Sequence, residues 1–459
     1  MSPSNHSTLY AGAAQVKTTP VLGTRINGDF VTHYATQIHD DLFSKALVFK
    51  QGATHLAFVM VDICIMPKDF VDSVKAEITK ATGILGSNIL IASTHTHAAG
   101  AVAEVHLGAA DLAYTKRLPG LIVASVQQAL QRLAPAQVAF GHIVAPEHLR
   151  CRRYEMVPDY QPLNPVTGGL DAVKTNPFGD EDSIRKSIAP TDPGLGYLAV
   201  KGLDGSWISL LANYSLHYVG DWPNGTISAD YFGVFSKEMA HLLQADADFV
   251  GMMSNGTSGD VNIWDFQDNT GYPLGHFEKS DFIGKDLAKR VSESIPDLAW
   301  QTNACLEALL EVPAIPIIKP DSQAVAAAKE LLIGTDFRSI QPTAAGLRKI
   351  YAREQILLNE LAPTRDCPVQ AFRIGDGIIG ALAGEFFSET GLYLKNQAPV
   401  NSYFTITMAN GNVGYVPPAR EKMLGGYETW LCRYSCLEPD AEATIRTTLK
   451  GLIDNLSLG

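Results

Sequence analysis

The sequence predicts an α/β protein of mixed β-sheets flanked by helices, and two observations carry that class. The apolar run His55 to Ile65, the helical period of Pro67 to Leu85 and a second apolar run from Asn88 follow one another as strand, helix and strand, the order of a βαβ unit. Two further pairs of apolar runs close around tight turn signals, Leu203-Asp204-Gly205-Ser206 and Ile374-Gly375-Asp376-Gly377, and read as β-hairpins.

Taken in order, residues 10 to 65 read as strands and loops, turn-rich at Val16 to Pro20 and Ile38 to Asp41, with the last strand ending near Asp62. In the helix that follows, Phe70, Val71, Val74, Ile78 and Ala81 share one face. The next strand, entered from Gly83 to Ser87, ends in Ser93-Thr94-His95-Thr96-His97 before Ala98-Ala99-Gly100. Residues i and i+2 of a strand point to the same side, so His95 and His97 can converge on one point. A metal between two imidazoles and a hydrogen-bonded polar pair capping the strand are both open readings of that spacing.

A helical region from Leu112 to Leu133 is expected to be interrupted at Pro119, and Ala136 to Ala145 reads as a strand. Residues 146 to 192 form a long polar stretch that begins with Arg150-Cys151-Arg152-Arg153, either a solvated charge run or the source of an active-site arginine. The first hairpin spans Gly196 to His217, so another histidine closes an apolar run. Ser228 is the expected N-cap of a helix running through Leu243, and Phe249 to Ser254 is a strand leading into Asn255 to Asn262. Helices follow at Ser280 to Ile295 and, as a helical hairpin, at Asp321 to Ile333 and Thr343 to Leu361. The second β-hairpin lies within Cys367 to Phe387 and ends in Gly384-Glu385-Phe386. A strand at Tyr403 to Met408, a Gly- and Tyr-rich segment from Asn410 to Tyr434 and a helix from Asp440 to Leu456 complete the chain. With no internal repeat, residues 1–459 read as one catalytic domain, with the helical hairpin near 321–361 as an insertion.

The formal net charge of −12 and the lack of a basic stripe argue against nucleic acid and against an anionic membrane surface. No leader is read at Met1 to Thr8, and no uncharged stretch is long enough to span a bilayer. Cys64, Cys151, Cys305, Cys367, Cys432 and Cys436 are scattered, with Cys432 and Cys436 spaced for one helix face; lone core thiols are the expectation. These features point to a cytoplasmic protein with reduced thiols and no stable membrane association.

Three groups with metal-ligand chemistry therefore close apolar runs: His95, His217 and Glu385. Two histidines and a carboxylate leave an open zinc position for water, as catalytic sites require. Around them, in order, stand Asp62, Ser93-Thr94-His95-Thr96-His97, Arg152, Leu216-His217, Ser228-Ala229-Asp230-Tyr231-Phe232-Gly233, Gly259-Asp260-Val261, Gly384-Glu385-Phe386, Tyr415 and Tyr427. In these motifs the chain resembles the N-terminal catalytic domain of the neutral (alkaline, non-lysosomal) ceramidases, zinc amidases that split N-acylsphingosine. The resemblance implies Zn2+ held by His95, His217, Glu385 and Tyr415, with His97, Arg152 and Tyr427 around the zinc-bound water and the substrate carbonyl. Arg152 and Tyr427 could then donate to the oxyanion and His97 shuttle a proton, while Asp62 is expected to orient a ligand histidine.

Three departures shape the expected function. Where ceramidases have a Gly-Asp-x-Ser-Pro-Asn stretch, this chain has Gly259-Asp260-Val261-Asn262-Ile263-Trp264, so Asn262 can orient substrate through its amide but cannot act as a nucleophile. Ala98-Ala99-Gly100-Ala101 replaces the usual Gly-Pro after the second histidine, altering the mouth of the site. The ceramidases continue into a C-terminal β-sandwich, whereas this sequence stops at Gly459. The expectation is a zinc-dependent hydrolase acting on a carbonyl of a small soluble substrate rather than membrane ceramide, an amide ahead of an ester or lactone. A lactonase or esterase on a sugar- or cyclitol-derived compound is the alternative, and a non-catalytic metal-binding relative is the alternative of another class. There is no G-x-S-x-G elbow, no H-E-x-x-H and no series of eight strand–helix units, which sets aside serine hydrolases, metalloproteases and amidohydrolase barrels.

Overall fold

Apolar runs become strands, and the most continuous of them, such as Thr54–Val61 and Ile89–Ser93, are buried on both faces. Eight strands form one sheet: β1 (Tyr10–Lys17), β2 (Phe43–Gln51), β3 (Thr54–Val61), β4 (Ile89–Ser93), β5 (Ala134–Val144), β6 (Gly194–Gly202), β7 (Trp207–Tyr214) and β8 (Val250–Asn255). Their spatial order is β8-β7-β6-β5-β1-β2-β3-β4. The computed structural model describes residues 8–26, 28–268, 272–273 and 275–458; the N-terminal stretch read for a leader lies outside them except for Thr8. A second, four-stranded sheet has the order β9 (Leu306–Glu311), β10 (Val369–Ile374), β11 (Gly377–Leu382), β12 (Ser402–Ile406). The helices are α1 (Lys68–Thr82), α2 (Leu112–Gln131), α3 (Asp230–Leu242), α4 (Glu278–Ser294), α5 (Ser322–Leu331), α6 (Ala344–Glu360), α7 (Ser388–Gln397), α8 (Ala419–Met423) and α9 (Ala441–Ser457).

The pairings are mixed. β3 and β4 are parallel and joined by α1, as the strand–helix–strand pattern predicts. The same arrangement recurs where α3 joins parallel β7 and β8, and where α7 joins parallel β11 and β12. The other ladders within the two sheets are antiparallel.

Alternate residues of each strand enter different layers. Leu56, Phe58 and Met60 of β3 join Phe372, Ile379 and Phe404 in a core between the two sheets, with Phe58 and Phe372 rings 4.7 Å apart. Ala57, Val59 and Val61 face Val74 and Ile78 of α1 and Leu118 and Ile122 of α2. Along the same sheet α3 and α4 bury Phe235, Met239, Ile283 and Leu287. Ile445, Leu449 and Leu452 of α9 cover the outer face of the small sheet. The result is four layers: helices, sheet, sheet, helix.

Several local expectations change. α2 runs through Pro119 without a break. Leu118 and Ile122, fully buried on either side of the proline, supply packing that outweighs the lost backbone hydrogen bond. α3 begins at Asp230, two residues beyond Ser228, whose Oγ accepts from the Asp230 N–H at 3.0 Å. The long polar stretch carries a small sheet of Arg153–Met156, Lys174–Thr175 and Ile184–Ser187. Cys432 and Cys436 lie outside any helix; they are free and buried, as are the other cysteines except exposed Cys305.

Candidate metal centre

Each parallel crossover delivers one polar group to the same place. His95 lies two residues beyond β4, His217 three beyond β7 and Glu385 three beyond β11. His95 has a left-handed backbone (φ 75°), so a bend in the chain, rather than the pleat of a strand, brings it and His97 together. Glu385–Phe386 pairs in parallel with Tyr415–Val416, which places Glu385 directly across from Tyr415. Gly259 makes room for this pairing: a Cβ there would stand 2.5 Å from the Glu385 carbonyl oxygen.

Nε2 of His95 and Nε2 of His217 are 3.1 Å apart, and Glu385 Oε2 is 3.6 Å from each. His97 Nε2 stands 3.2 Å from His95 Nε2. Both candidate ligand rings are oriented from behind by main chain. His95 Nδ1 faces the Cys64 carbonyl oxygen at 2.8 Å, and His217 Nδ1 faces that of Ser258 at 3.1 Å. A carbonyl accepts only, so both Nδ1 atoms carry a proton and the two Nε2 atoms point at one another. Glu385 Oε2 is buried and has no hydrogen-bond partner. Two imidazole nitrogens turned toward one another and a carboxylate oxygen without a hydrogen-bond partner favour positive charge between them, a proton on His95 or a metal ion. Ligand atoms about 2.0–2.1 Å from one tetrahedral zinc would be roughly 3.3 Å apart, which these separations match. The residues therefore fit a metal ion. Burial alone would lower the His95 pKa, but Cys64 and Glu385 outweigh it and lift it to about 10. Burial, then the neighbouring charge of His95 and that of Arg152, push His97 and His217 well below the usual range.

Arg152 is buried beside this cluster. Its Nε donates to Glu428 Oε1 at 2.8 Å and its Nη2 to the Gly259 carbonyl at 2.7 Å, and its guanidinium lies 5.4 Å from the centre of the Tyr415 ring. Glu428 also accepts from Arg153 Nη1 at 2.8 Å and Thr175 Oγ1 at 2.7 Å. Tyr415 and Tyr427 rings meet edge to face with centroids 5.5 Å apart. Burial and the Glu385 charge hold both hydroxyls well above the ordinary tyrosine range, so both are protonated donors. His97 stacks on Tyr218 with centroids 3.8 Å apart.

His97, Arg152, His217, Tyr415 and Tyr427 line one cavity of about 440 Å³. Asn262 and Asp62 do not line it. Asn262 is buried, donating to Asn176 Oδ1 at 2.6 Å and accepting from the Trp264 N–H at 3.0 Å, so its amide is used in holding Asn176, which does line the cavity. Asp62 accepts from the Phe43 N–H at 2.9 Å and stands 3.6 Å from Lys45 Nζ; the backbone carbonyls of Cys64 and Ser258 orient the histidines instead. Sequence reasoning did not find the Asp29–His33 pair at the cavity (2.8 Å), nor His106, Tyr218 or Glu428. Glu428 had one available signal, its place directly after Tyr427. Asp230 had another, as part of the Ser-Ala-Asp-Tyr-Phe-Gly motif: it accepts from the Val219 N–H at 2.8 Å and so anchors the turn after His217.

Fold and site together define an α/β protein with a preformed group of side chains that could hold a metal ion. Among solved structures the chain is similar to neutral ceramidase from Pseudomonas aeruginosa, with a TM-score of 0.74 at 17% identity over 98% of this chain and 74% of that one. It is also similar to a ceramidase complexed with C2, with a TM-score of 0.68 at 15% identity over 98% of this chain and 75% of that one. No family model matches the sequence, and no curated protein does. The chain has the neutral-ceramidase fold, as the sequence motifs imply.

Proposed function

We propose that this protein is a zinc-dependent hydrolase that cleaves a carbonyl bond in a small soluble compound, an amide first and, by the same attack, an ester or lactone. The observation that carries the reading is the convergence of His95 Nε2, His217 Nε2 and the unpartnered Glu385 Oε2 beside a cavity. Zinc held there by these three residues and Tyr415 would supply a water deprotonated near neutral pH and an electrophile for the carbonyl oxygen.

The chain's own groups account for the rest of the chemistry. Arg152, buried and fixed by Glu428 and the Gly259 carbonyl, aims a permanent positive charge at the cavity and does not reorganise as charge develops on a carbonyl oxygen. Tyr427 adds a hydroxyl donor from the same wall. His97, which lines the cavity with its Nε2 3.2 Å from that of His95, is the group proposed to take a proton and return it to the leaving nitrogen or oxygen. Asn262 acts at one remove, positioning Asn176. Because these residues come from both sheets, residues 1–459 are proposed to act as one catalytic domain. Among the described residues no helix is long and apolar enough to cross a membrane; the reading as a cytoplasmic enzyme of small molecules is part of the proposal.

The test is elemental analysis of protein purified without chelator or metal resin, beside a screen of N-acyl amides and lactones. One zinc per chain, lost together with hydrolysis in His95→Ala and in His217→Ala, is the expected result. Wild-type zinc content in either variant would remove that residue from the ligand set. A folded wild type that takes up no metal would overturn the proposed function.

A further inference from the structure

The helical hairpin is an excursion between two neighbouring strands of the small sheet, packed against it through Leu358. β9 and β10 are antiparallel neighbours, and Glu311, the last residue of β9, is paired directly with Val369, the first of β10. Such strands can be joined by a turn of two residues. Instead residues 312–368 continue as a two-stranded ribbon, Ala314–Pro316 against Thr364–Asp366, and beyond it form α5 and α6 before returning.

The excursion reaches the cavity. Leu347, half-buried on α6, is one of its lining residues. One turn further on, buried Tyr351 packs edge to face on Phe30 (6.4 Å) and Trp430 (5.5 Å), both of which also line the cavity. The helix is then locked in place by charge. Fully buried Glu354 accepts from Arg433 Nε at 2.9 Å and Nη2 at 2.8 Å, the planar two-point contact that fixes direction as well as distance. Arg353 donates to the His106 carbonyl at 2.7 Å and to Glu104 at 3.0 Å, and Gln355 donates to the Leu431 carbonyl. An apolar side chain carried on a clamped helix makes a rigid wall, because close-packed groups of this kind do not yield to added volume.

We propose that α6, through Leu347, is the end wall of the substrate cavity and sets the length of the group that can extend from the scissile carbonyl, restricting substrates to compact ones. This deepens the proposed function and rests on it.

A ladder of straight-chain alkyl hydroxamic acids, from acetohydroxamic acid to decanohydroxamic acid, probes the wall without needing turnover, since the hydroxamate head chelates zinc. Binding is measured by calorimetry on zinc-loaded wild type, Leu347→Ala and Leu347→Trp, with zinc content and thermal melting recorded for each. In the wild type, affinity should rise about fourfold per methylene over the first steps and then fall as the chain meets the wall. Leu347→Ala should move the maximum to longer chains by about two carbons, and Leu347→Trp to shorter ones, with acetohydroxamic acid bound equally by all three. Affinity that climbs through decanohydroxamic acid, or a maximum in the same place in both variants, overturns the wall and leaves the zinc reading standing. Zinc bound stoichiometrically with no hydroxamate binding at any length overturns the wall as an element of a zinc site. Failure to bind zinc at all removes the proposed function and this inference with it.

Discussion

Glu428→Gln isolates the charge network that holds Arg152 in place. The carboxylate is fully buried and accepts from Arg152 Nε, Arg153 Nη1 and Thr175 Oγ1 at 2.8, 2.8 and 2.7 Å. Glutamine keeps the shape but has no charge and one acceptor oxygen in place of two. Removing one partner of a buried ion pair costs roughly 3–5 kcal/mol. Here the Gly259 carbonyl still serves Arg152, and Glu421 with the Gly425 carbonyl still serves Arg153. The expected loss is therefore at the lower end, about 3 kcal/mol, or about 3 °C in melting temperature at roughly 1 °C per kcal/mol for a chain of 459 residues.

The pH dependence of that loss has a definite sign. Burial raises the Glu428 pKa, but Arg152, Arg153 and the Thr175 hydroxyl outweigh it and hold the carboxyl below its ordinary value in the folded protein. A carboxylate depressed on folding contributes fully above its unfolded pKa of about 4.3 and loses that contribution as pH falls through the folded value. The gap between wild type and Glu428→Gln should be widest and flat from pH 7 down to about 5, and shrink below about pH 4. Urea melts followed by circular dichroism at pH 7, 5 and 3.5 measure it. A gap under about 1 kcal/mol at pH 7, the range of exposed ion pairs, would refute the reasoning, as would a gap that widens on acidification.

Two other outcomes follow from the same structure. Tyr427→Phe should retain the metal while slowing turnover by about 10²–10³-fold, the usual effect of losing one oxyanion donor; an unchanged kcat would rule out that role. Asp230, raised by burial to a pKa of about 7, holds in the fold a proton that the unfolded chain has lost above about pH 4, so it makes stability fall as pH rises between those values. Asp230→Asn should flatten that part of the urea midpoint-against-pH curve, and an unaltered slope would place the titrating group elsewhere.

Strand–helix–strand order was legible wherever apolar runs are long. β3, α1 and β4 can be read because strands buried on both faces are apolar throughout, and α5 and α6 because Asp321 and Thr343 cap them, accepting from the Ala324 and Gly346 N–H groups. α7 could not be read: Ser388-Glu389-Thr390-Gly391 is a poor helix former, and tertiary packing of Leu394 decides the issue. The candidate ligands were legible as residue types at the ends of runs. What orients them was not, because the acceptors behind His95 and His217 are backbone carbonyls, which any residue supplies. A carboxylate such as Asp62 is the visible candidate for that work, yet it is used on the Phe43 N–H and Lys45. The Arg152–Glu428 pair, 276 residues apart, leaves no local pattern.

The placement of the site follows from the layers. His95 comes from beyond the edge strand β4 of the large sheet and His217 from beyond β7, the strand next to the other edge, whereas Glu385 comes from the small one, beyond β11. The two 3.6 Å contacts from Glu385 Oε2 to the histidine nitrogens therefore report how one sheet is seated on the other. That seating is set by the interior between them, where Phe58 meets Phe372 and Leu90 shares a cluster with Phe404. Close-packed cores transmit displacements instead of absorbing them. A cation would join the two sheets as well as serve the chemistry, and the same geometry explains why all three donors follow strands of parallel pairs. At those ends the chain must leave the sheet, toward a crossover helix after β7 and β11 and toward α2 after β4, and in leaving it exposes side chains and main-chain groups to a shared crevice.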